Sequence, residues 1–472
     1  RSIGLQKSPG WPKQYGDWKY LPEEVSALIL RKVVKQVGRQ RALPAVVDVV
    51  VTHPQWFYLG QKEATREAAE LAGLNLVAGI TEPHAAAIAY GVYQRVLGKD
   101  INVLVFDLGG GTFDVSLMKM GDKTFEMLGS AGDTQLGGID WDHTIIARSK
   151  EIFQKATGDD FDEVASEEED VVLRKAAERA KKKLSDNQDI GFWVAAGGTR
   201  TRAEITREEF EDMSRSLVVR CINRCEELLQ QTSFSWEQVD EILMVGSSTK
   251  MPMIHDAVKR TSGKEPKIDK DPKLMVAKGA AIWGHWIKTG QIGSQQSTAG
   301  VQETSGLADL EAPNVVGRTA HGLGILATRA RRADATGFAD ERGQLESIVS
   351  VLIGQNTSTP CSYERTFYTN QDNETSVSVP LYEGESEDPK ECSRIGQIVM
   401  DGLPSRPKHQ PVKVKFNIDT SGLLEVEMTD IETGQKVLRR LEKNILRGNS
   451  QEQGAEMDLE ARRRHLDTLE VV

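Results

Sequence analysis

The amino-acid sequence predicts an α/β region followed by an antiparallel β-domain. Strand-like and helix-like stretches alternate from Leu21 to Ile287, an order typical of α/β folds. A stretch rich in Gly, Ser, Gln, Thr and Ala follows at residues 289–318, and this composition predicts a linker. From residue 319 to 441, short β-patterned stretches recur between turn signals, which indicates an antiparallel sandwich. Residues 442–472 are charged and helix-prone, so they predict a short helical tail.

Hydrophobic periodicity gives the individual elements. Apolar residues at helical spacing predict helices, and β-branched runs that stop at Gly or Pro predict strands. Helices are predicted at 21–37, 62–72 and 276–287. Strands of the α/β region are predicted at 46–52, 101–106, 113–120, 124–128 and 240–245. Strands of the β-domain are predicted at 347–353, 362–368, 376–381, 395–400, 412–418 and 424–429.

A further long helix is predicted from Ser166 onwards. Ser166 and Glu169 have the spacing of a capping box, in which each side chain bonds the backbone N–H of the other. Four apolar residues then share one face of the helix: Leu173, Ala177, Ala180 and Leu184. The other face carries Glu178, Lys181, Lys182 and Ser185.

Composition excludes several classes of protein. Lys and Arg number 59 against 70 Asp and Glu in 472 residues, a net charge of −11, so no large basic surface for nucleic acid or an anionic membrane is expected. No apolar run is long enough to span a membrane, and no signal peptide is expected. The four cysteines are too few for a disulfide framework, and Cys221 and Cys225 are interpreted as structural thiols. A reducing, cytoplasmic setting follows as the default.

Candidate chemistry begins at the run Asp107-Leu108-Gly109-Gly110-Gly111-Thr112. Three glycines let the backbone approach a ligand and turn N–H groups toward phosphate oxygens, and Asp107 can hold Mg²⁺ through water. A tight hairpin turn explains such a loop equally well when it is taken alone.

Two more glycine turns follow strand-like runs in the same region. They are residues 132–138, with Gly137 and Gly138, and residues 245–250, with Gly246, Ser248 and Lys250. Three phosphate-compatible turns together favour a nucleotide site. The helix face with Glu178 and Lys182 could hold a ribose and base, but an ordinary solvated ion pair is the stronger interpretation of that face alone.

Five motifs resemble the nucleotide-binding domain of the 70-kDa heat-shock chaperones, in order and in spacing. They are ITEPHAAAIAYG from Ile80, DLGGGTFDVS from Asp107, GDTQLGGID from Gly132, ERAKKKLS from Glu178 and LMVGSSTKMP from Leu243. The resemblance covers about residues 21–441. It implies an actin-like (ribonuclease-H-like) ATPase domain over residues 1–288, with the peptide-binding sandwich after the linker.

The resemblance also implies roles for individual residues. Asp107 and Thr112 would lie at Mg²⁺ and the phosphates of ATP or ADP, Asp114 would hold the metal through water, and Glu82 would orient the attacking water. The phosphates and adenosine would be held by Gly109, Gly110, Gly111, Gly137, Gly138, Glu178, Lys181, Lys182, Ser185, Gly246, Ser248 and Lys250. The implied reaction is in-line attack of water on the γ-phosphate.

In the β-domain, four residues match positions that line the family's peptide cleft: Ile325, Phe367, Val377 and Val379. Such a cleft binds a short apolar segment of an unfolded polypeptide through backbone hydrogen bonds and one deep side-chain pocket. Without the resemblance, all four would be interpreted as core residues of a sandwich. J-domain co-chaperones and nucleotide-exchange factors are the further partners that the resemblance implies.

The sequence departs from the family pattern at several positions. The first phosphate loop and the catalytic lysine of the family do not appear before Leu21, so the first lobe is expected to be incomplete. Lys250 stands for an arginine that stacks on adenine, and Lys62 for an arginine after Pro54. After residue 441 too little chain follows for the family's helical lid. Because the chain begins with Arg1, a truncated record is preferred to a degenerate relative.

Two functions are therefore expected, in order of preference. The first is an ATP-dependent chaperone that hydrolyses ATP and binds apolar segments. The alternative is a relative without useful ATP turnover that binds peptides passively. A sugar kinase shares the looser phosphate loop, but it would leave the β-domain unexplained.

Overall fold

The computed structural model describes residues 13–15, 18–94, 100–121, 124–269, 271–291, 312–330, 345–418, 422, 424–440, 459–467 and 469. The chain forms two compact units. The central unit comprises residues 82–279, and the terminal unit combines residues 2–81 with residues 280–472. These units do not test the predicted domain boundaries at 288, 318 and 441, which stay predictions.

The helices and strands are numbered along the chain. The helices are α1 (Pro22–Gly38), α2 (Leu59–Leu71), α3 (Glu82–Gln94), α4 (Gly138–Thr157), α5 (Phe161–Val164), α6 (Glu167–Leu184), α7 (Arg207–Met213), α8 (Arg215–Thr232), α9 (Pro252–Ser262), α10 (Met275–Lys288) and α11 (Leu459–Asp467). The strands are β1 (Lys13–Tyr15), β2 (Trp18–Tyr20), β3 (Asp48–His53), β4 (Asn75–Thr81), β5 (Ile101–Leu108), β6 (Phe113–Met120), β7 (Thr124–Asp133), β8 (Asp189–Ala196), β9 (Thr199–Thr206), β10 (Glu241–Val245), β11 (Lys267–Ile268), β12 (Asn314–Arg318), β13 (Leu323–Ala330), β14 (Leu345–Ile353), β15 (Ser358–Thr359), β16 (Cys361–Tyr368), β17 (Ser376–Glu383), β18 (Ser393–Asp401), β19 (Pro411–Ile418), β20 (Leu424–Asp430) and β21 (Lys436–Arg440).

The sheet of the central unit has the strand order β11-β10-β5-β6-β7. Strand β10 runs parallel to β5 and β11, whereas β5, β6 and β7 are antiparallel to one another. The last six residues of β5 are all buried, since apolar side chains alternate onto two covered faces of the strand. The predicted strands at 101–106, 113–120, 124–128 and 240–245 are confirmed, with extensions of two residues for β5 and five for β7.

Helix α6 begins where the capping box predicts. The Ser166 hydroxyl accepts the Glu169 N–H at 3.2 Å, and the Glu169 carboxylate accepts the Ser166 N–H at 2.8 Å. Leu173, Ala177 and Leu184 are all at most 3% exposed, so the predicted apolar face packs into the core. This core also takes side chains from α4, α8 and the β8–β9 hairpin. Cys221 and Cys225 are buried free thiols within it, as interpreted from the sequence.

The terminal unit contains the parallel pair β3–β4 and the helices α1, α2 and α11. Helices α1 and α2 confirm the predictions at 21–37 and 62–72. Helix α11 lies in the predicted tail and packs on both of them, whereas residues 442–458 of the tail lie outside the described residues. The Leu466 side chain is fully buried beside Tyr20, Ala27 and Leu71.

The terminal unit also contains two four-stranded sheets, in the orders β14-β13-β17-β18 and β16-β19-β20-β21. Their inner side chains form one apolar core, which is the arrangement of a sandwich. Every one of the six predicted strands of the β-domain is confirmed. Within the range predicted as linker, Asn314–Arg318 forms β12 and pairs with β15. Two valines in this stretch favour the strand, and residues 292–311 lie outside the described residues.

Within the described ranges, no helix has both the length and the apolar character that a membrane crossing requires.

Candidate functional site

The glycine-rich loop after β5 forms the tight turn of a hairpin. The Gly109 N–H donates to the Thr112 carbonyl at 3.1 Å, and Asp107 lies opposite Asp114 in the β5–β6 register. Both carboxylates are buried, at 7% and 4% exposure. Space for a side chain or a ligand is open at Gly110, where an added Cβ would meet nothing within 4 Å. The hairpin thus sets two buried acids beside an open glycine turn.

Glu82 completes an acidic group at this end of the sheet. It is the first residue of α3, and burial together with the charges of Asp107 and Asp114 raises the pKa of Glu82 well above its usual range. Burial raises the pKa of Asp107 to about 7. Two buried acids with raised pKa values favour a bound cation, because a cation offsets both the burial and the repulsion.

This donor set fits Mg²⁺ held through water. Carboxylate oxygens are the ligands that Mg²⁺ prefers, and Mg²⁺ usually keeps several of its waters. Over the described ranges, no group of three or more His, Cys, Asp or Glu side chains is arranged to hold a metal ion directly. The metal role of Asp107 and Asp114 therefore stays a prediction.

The three predicted glycine turns meet beside these acids. The N–H groups of Gly138 and Ile139 donate to the carbonyls of Gly109 and Gly110 at 3.0 and 2.9 Å. The Ser248 hydroxyl donates to the same Gly109 carbonyl at 2.8 Å. Stretches that lie far apart in the sequence are thereby joined by hydrogen bonds into one backbone surface.

Two of the glycines are required by how closely the turns approach. An added Cβ at Gly137 would lie 2.6 Å from the backbone of Gly111. Gly246 has φ +85°, in the left-handed region, and an added Cβ there would overlap the Leu108 carbonyl. The close packing of the turns therefore depends on the absence of side chains at these positions.

The predicted residues on the face of α6 differ in their exposure to solvent. Lys181 is 9% exposed, and its ammonium donates to the Gly138 carbonyl at 2.7 Å. Glu178 and Lys182 are exposed and pair with each other, as the simpler interpretation of this face predicts. Ser185 caps the end of α6, and its carbonyl accepts the Arg207 side chain. Among these four residues, Lys181 is the one that forms a hydrogen bond with a glycine turn in the described part of the chain.

Two further residues predicted at the nucleotide, Thr112 and Lys250, belong to the first and third glycine turns. Thr112 is half-buried directly before β6, and Lys250 is exposed at the end of the third turn. Their roles, like those of the other nucleotide residues, stay predictions.

Comparison with known proteins gives the family. The family model described as "Hsp70 protein" matches residues 6–298 and 343–468. The chain belongs to the Hsp70 family. The mixed α/β content and the several sheets are consistent with the predicted actin-like ATPase fold followed by a β-sandwich, while the incomplete first lobe stays a prediction.

Three curated Hsp70 relatives are each 34% identical to this chain over 89% of its length. They are "Chaperone protein DnaK" of Prochlorococcus marinus, "Chaperone protein dnaK3" of Thermosynechococcus vestitus and "Heat shock 70 kDa protein 7, chloroplastic" of Arabidopsis thaliana. The match covers 61%, 56% and 53% of these relatives, so the chain spans about half to three-fifths of their length. One relative is chloroplastic by name, and a cytoplasmic setting for this chain stays a prediction.

The residues that resemble the Hsp70 peptide cleft lie at the sandwich core. Ile325 and Val379 are 2% and 9% exposed, and both belong to the buried cluster. Phe367 and Val377 are half-buried and pack against it. This placement agrees with the interpretation as core residues, and their contact with a peptide stays a prediction.

Sequence reasoning missed two acids at the start of α4. The Asp140 carboxylate accepts the Gly137 N–H at 2.8 Å, and Asp142 forms an ion pair with Lys181 at 2.9 Å. The signal in the sequence is the run Gly138-Ile139-Asp140-Trp141-Asp142, in which acids in the first turn of a helix follow a glycine turn.

Proposed function

We propose that this Hsp70-family chain binds Mg-ATP at the three glycine turns, hydrolyses it slowly and binds exposed apolar segments of unfolded polypeptides. The observation that carries the proposal is the junction of Gly109, Gly138 and Ser248 next to Asp107 and Asp114. Backbone turns with little side chain suit phosphate, and buried acids suit its metal. The relatives that are named as chaperones support the wider role.

Each residue has a proposed task in the reaction. Asp107 and Asp114 hold Mg²⁺ through water, and the metal supplies charge neutralisation at the phosphates when it is bound. The Gly110 turn leaves room for phosphate oxygens, and Thr112 offers a hydroxyl donor. Glu82 orients the attacking water and accepts its proton. A bound cation would lower the pKa of Glu82 and so would favour the ionised carboxylate that can accept this proton.

The β-sandwich has the proposed role of holding the client. An extended segment binds such a domain through its backbone and one buried side chain. Phe367 and Val377 are half-buried at the edge of the core, so they are the side chains from which a pocket would be built.

Calorimetric titration of the full chain with Mg-ATP tests the nucleotide site. Micromolar or tighter binding is expected for the native chain, and the Asp107→Asn variant should lose it because one metal-holding carboxylate is removed. A control is Asp170→Asn, which removes an exposed pair with Arg174 at the far end of α6. Absence of binding to the folded native chain would leave the passive peptide binder as the function.

Fluorescence titration with a short Leu-rich peptide tests the sandwich. Phe367→Asp should abolish peptide binding, because a carboxylate in an apolar pocket is poorly solvated. Tyr368→Asp is the matched control, since Tyr368 is the next residue of β16 and 64% exposed. Unchanged binding by the folded Phe367 variant would contradict the cleft assignment.

A further inference from the structure

Lys181 carries a buried charge at an unfavourable place. Its ammonium lies against Gly138, the first residue of α4, where the helix macrodipole is positive. Its side chain is 11% exposed, and burial also disfavours the charged form of a lysine. A protonated Lys181 at this position therefore needs a negative group beside it.

Asp142 supplies that negative group. It lies one turn into α4, its carboxylate is 2.9 Å from the Lys181 ammonium, and its side chain is 15% exposed. Glu178, about one turn before Lys181 on α6, forms an ion pair with Lys182 instead. Within the described part of the chain, the ion pair recorded for Lys181 is thus the one with Asp142.

The pair also joins α6 to the glycine turns. Lys181 holds the Gly138 carbonyl, while the Gly138 N–H holds the Gly109 carbonyl at 3.0 Å. An added Cβ at Gly138 would lie 3.0 Å from the lysine nitrogen, so the ammonium is close against the backbone. A change in the place or charge of Lys181 is therefore transmitted directly to the turns at which the nucleotide is proposed to bind.

We propose that Asp142 is a positioning residue of the nucleotide site: it holds the Lys181 ammonium in place against Gly138, and so sets nucleotide affinity without touching the nucleotide. The inference rests on the proposed nucleotide binding. It assigns a role to a residue that the sequence motifs did not single out.

Several charged groups surround this pair. The pKa of Asp142 is raised overall, because burial and the Glu178 charge raise it by more than the hydrogen bond and charge of Lys181 and the charge of His143 lower it. Removing the Asp142 charge leaves the Lys181 ammonium with the positive end of the α4 dipole and the neighbouring Lys182 charge, and both repel it. The Lys181 ammonium of an Asp142→Asn variant should therefore be held less firmly against Gly138.

The test has one readout without nucleotide and one with it. Lysine-ammonium NMR of the nucleotide-free full chain follows Lys181, whose signal is assigned by its loss in Lys181→Met. At one fixed pH, the native signal should be protected from rapid exchange with water, and in Asp142→Asn it should be broadened by faster exchange. Asp170→Asn serves as a control, and Asp142→Glu should restore the signal.

Calorimetry with Mg-ATP follows the same variants. Asp142→Asn should bind roughly 10-fold to 100-fold more weakly, as is typical when an outer partner of a binding group is lost. Asp142→Asn combined with Lys181→Met should bind no more weakly than Lys181→Met alone.

The two measurements separate the inference about Asp142 from the proposed nucleotide binding. A Lys181 signal in Asp142→Asn with the native rate of exchange overturns the inference, as does a double variant whose losses add. If no variant and not even the native chain binds Mg-ATP, the proposed function fails, while the ammonium signal still decides whether Asp142 positions Lys181.

Discussion

Arg462 of α11 can be replaced by methionine to test how the C-terminal helix is held. The guanidinium lies 3.0 Å from Glu24, 3.1 Å from Glu67 and 3.6 Å from Glu23. The Arg462 side chain is 5% exposed, and none of the three carboxylate side chains is more than 9% exposed. Methionine keeps an apolar stem of similar length but removes the charge, so three buried carboxylates lose this cation.

The expected cost follows from the burial of these charges. Removing one partner of a buried ion pair costs about 3–5 kcal/mol, because the other charge stays desolvated. Since one guanidinium serves three carboxylates here, we expect the upper part of that range. At about 4–5 kcal/mol and roughly 2–4 °C per kcal/mol, the midpoint of thermal unfolding should fall by roughly 8–20 °C.

Calorimetric melting and hydrogen exchange measure the effect on the terminal unit. Arg463→Met is the matched control, because Arg463 is the neighbouring, exposed arginine of α11. Adding Glu24→Gln and Glu67→Gln to the Arg462 variant should recover part of the stability, since two of the three buried carboxylate charges are then removed. A melting point for Arg462→Met equal to that of Arg463→Met, with α11 still protected from exchange, would refute the reasoning.

Three further results are expected for the central unit. Burial raises the pKa of Asp107 in the folded unit to about 7, so the folded unit binds more protons than the unfolded chain between pH 4 and 7. Its free energy of unfolding should therefore fall as pH rises, by about 1.4 kcal/mol per pH unit. Urea unfolding without Mg²⁺ measures this slope, and an equal slope in Asp107→Asn would count against it. Gly246→Ala should destabilise the unit by more than Gly263→Ala, because both have positive φ but only Gly246 has no room for a Cβ; equal urea midpoints would exclude the steric part. Ser166→Ala should lower the free energy of unfolding by about 1 kcal/mol, because α6 loses its N-terminal cap. Ser235→Ala, at a short 3₁₀ turn, is the comparison, and it should lower the free energy of unfolding by less if capping is the cause.

Much of the fold is predictable because its signals are local. The β-branched run of β5 and the capping box of α6 each lie within a few residues, and both elements are present as predicted. The β8–β9 hairpin was not predicted, although Gly197 and Gly198 both have positive φ at its turn. Gly, Phe, Trp and Ala residues are spread over both faces of its first strand, so the alternation of apolar and polar residues that predicts a strand is weak there.

In the candidate site, too, the local features are predictable from the sequence and the contacts between distant residues are not. The glycine turns are visible as sequence motifs because each needs consecutive residues without side chains. The pair of Asp142 and Lys181 is not visible, since the two residues belong to different helices and meet only when α4 and α6 pack. The exposed pair of Glu178 and Lys182 was foreseen because it lies within one helix.

The contact between Arg462 and Glu24 also has a consequence for biosynthesis. At about 5–20 residues per second, Arg462 leaves the ribosome roughly 20–90 s after Glu24. The central unit is a single stretch of 198 residues, from 82 to 279, so it can finish folding within that interval. Glu23, Glu24 and Glu67 are therefore synthesised long before the arginine with which they pair. Helix α11 completes a buried ion-pair cluster whose acids lie on the much earlier helices α1 and α2.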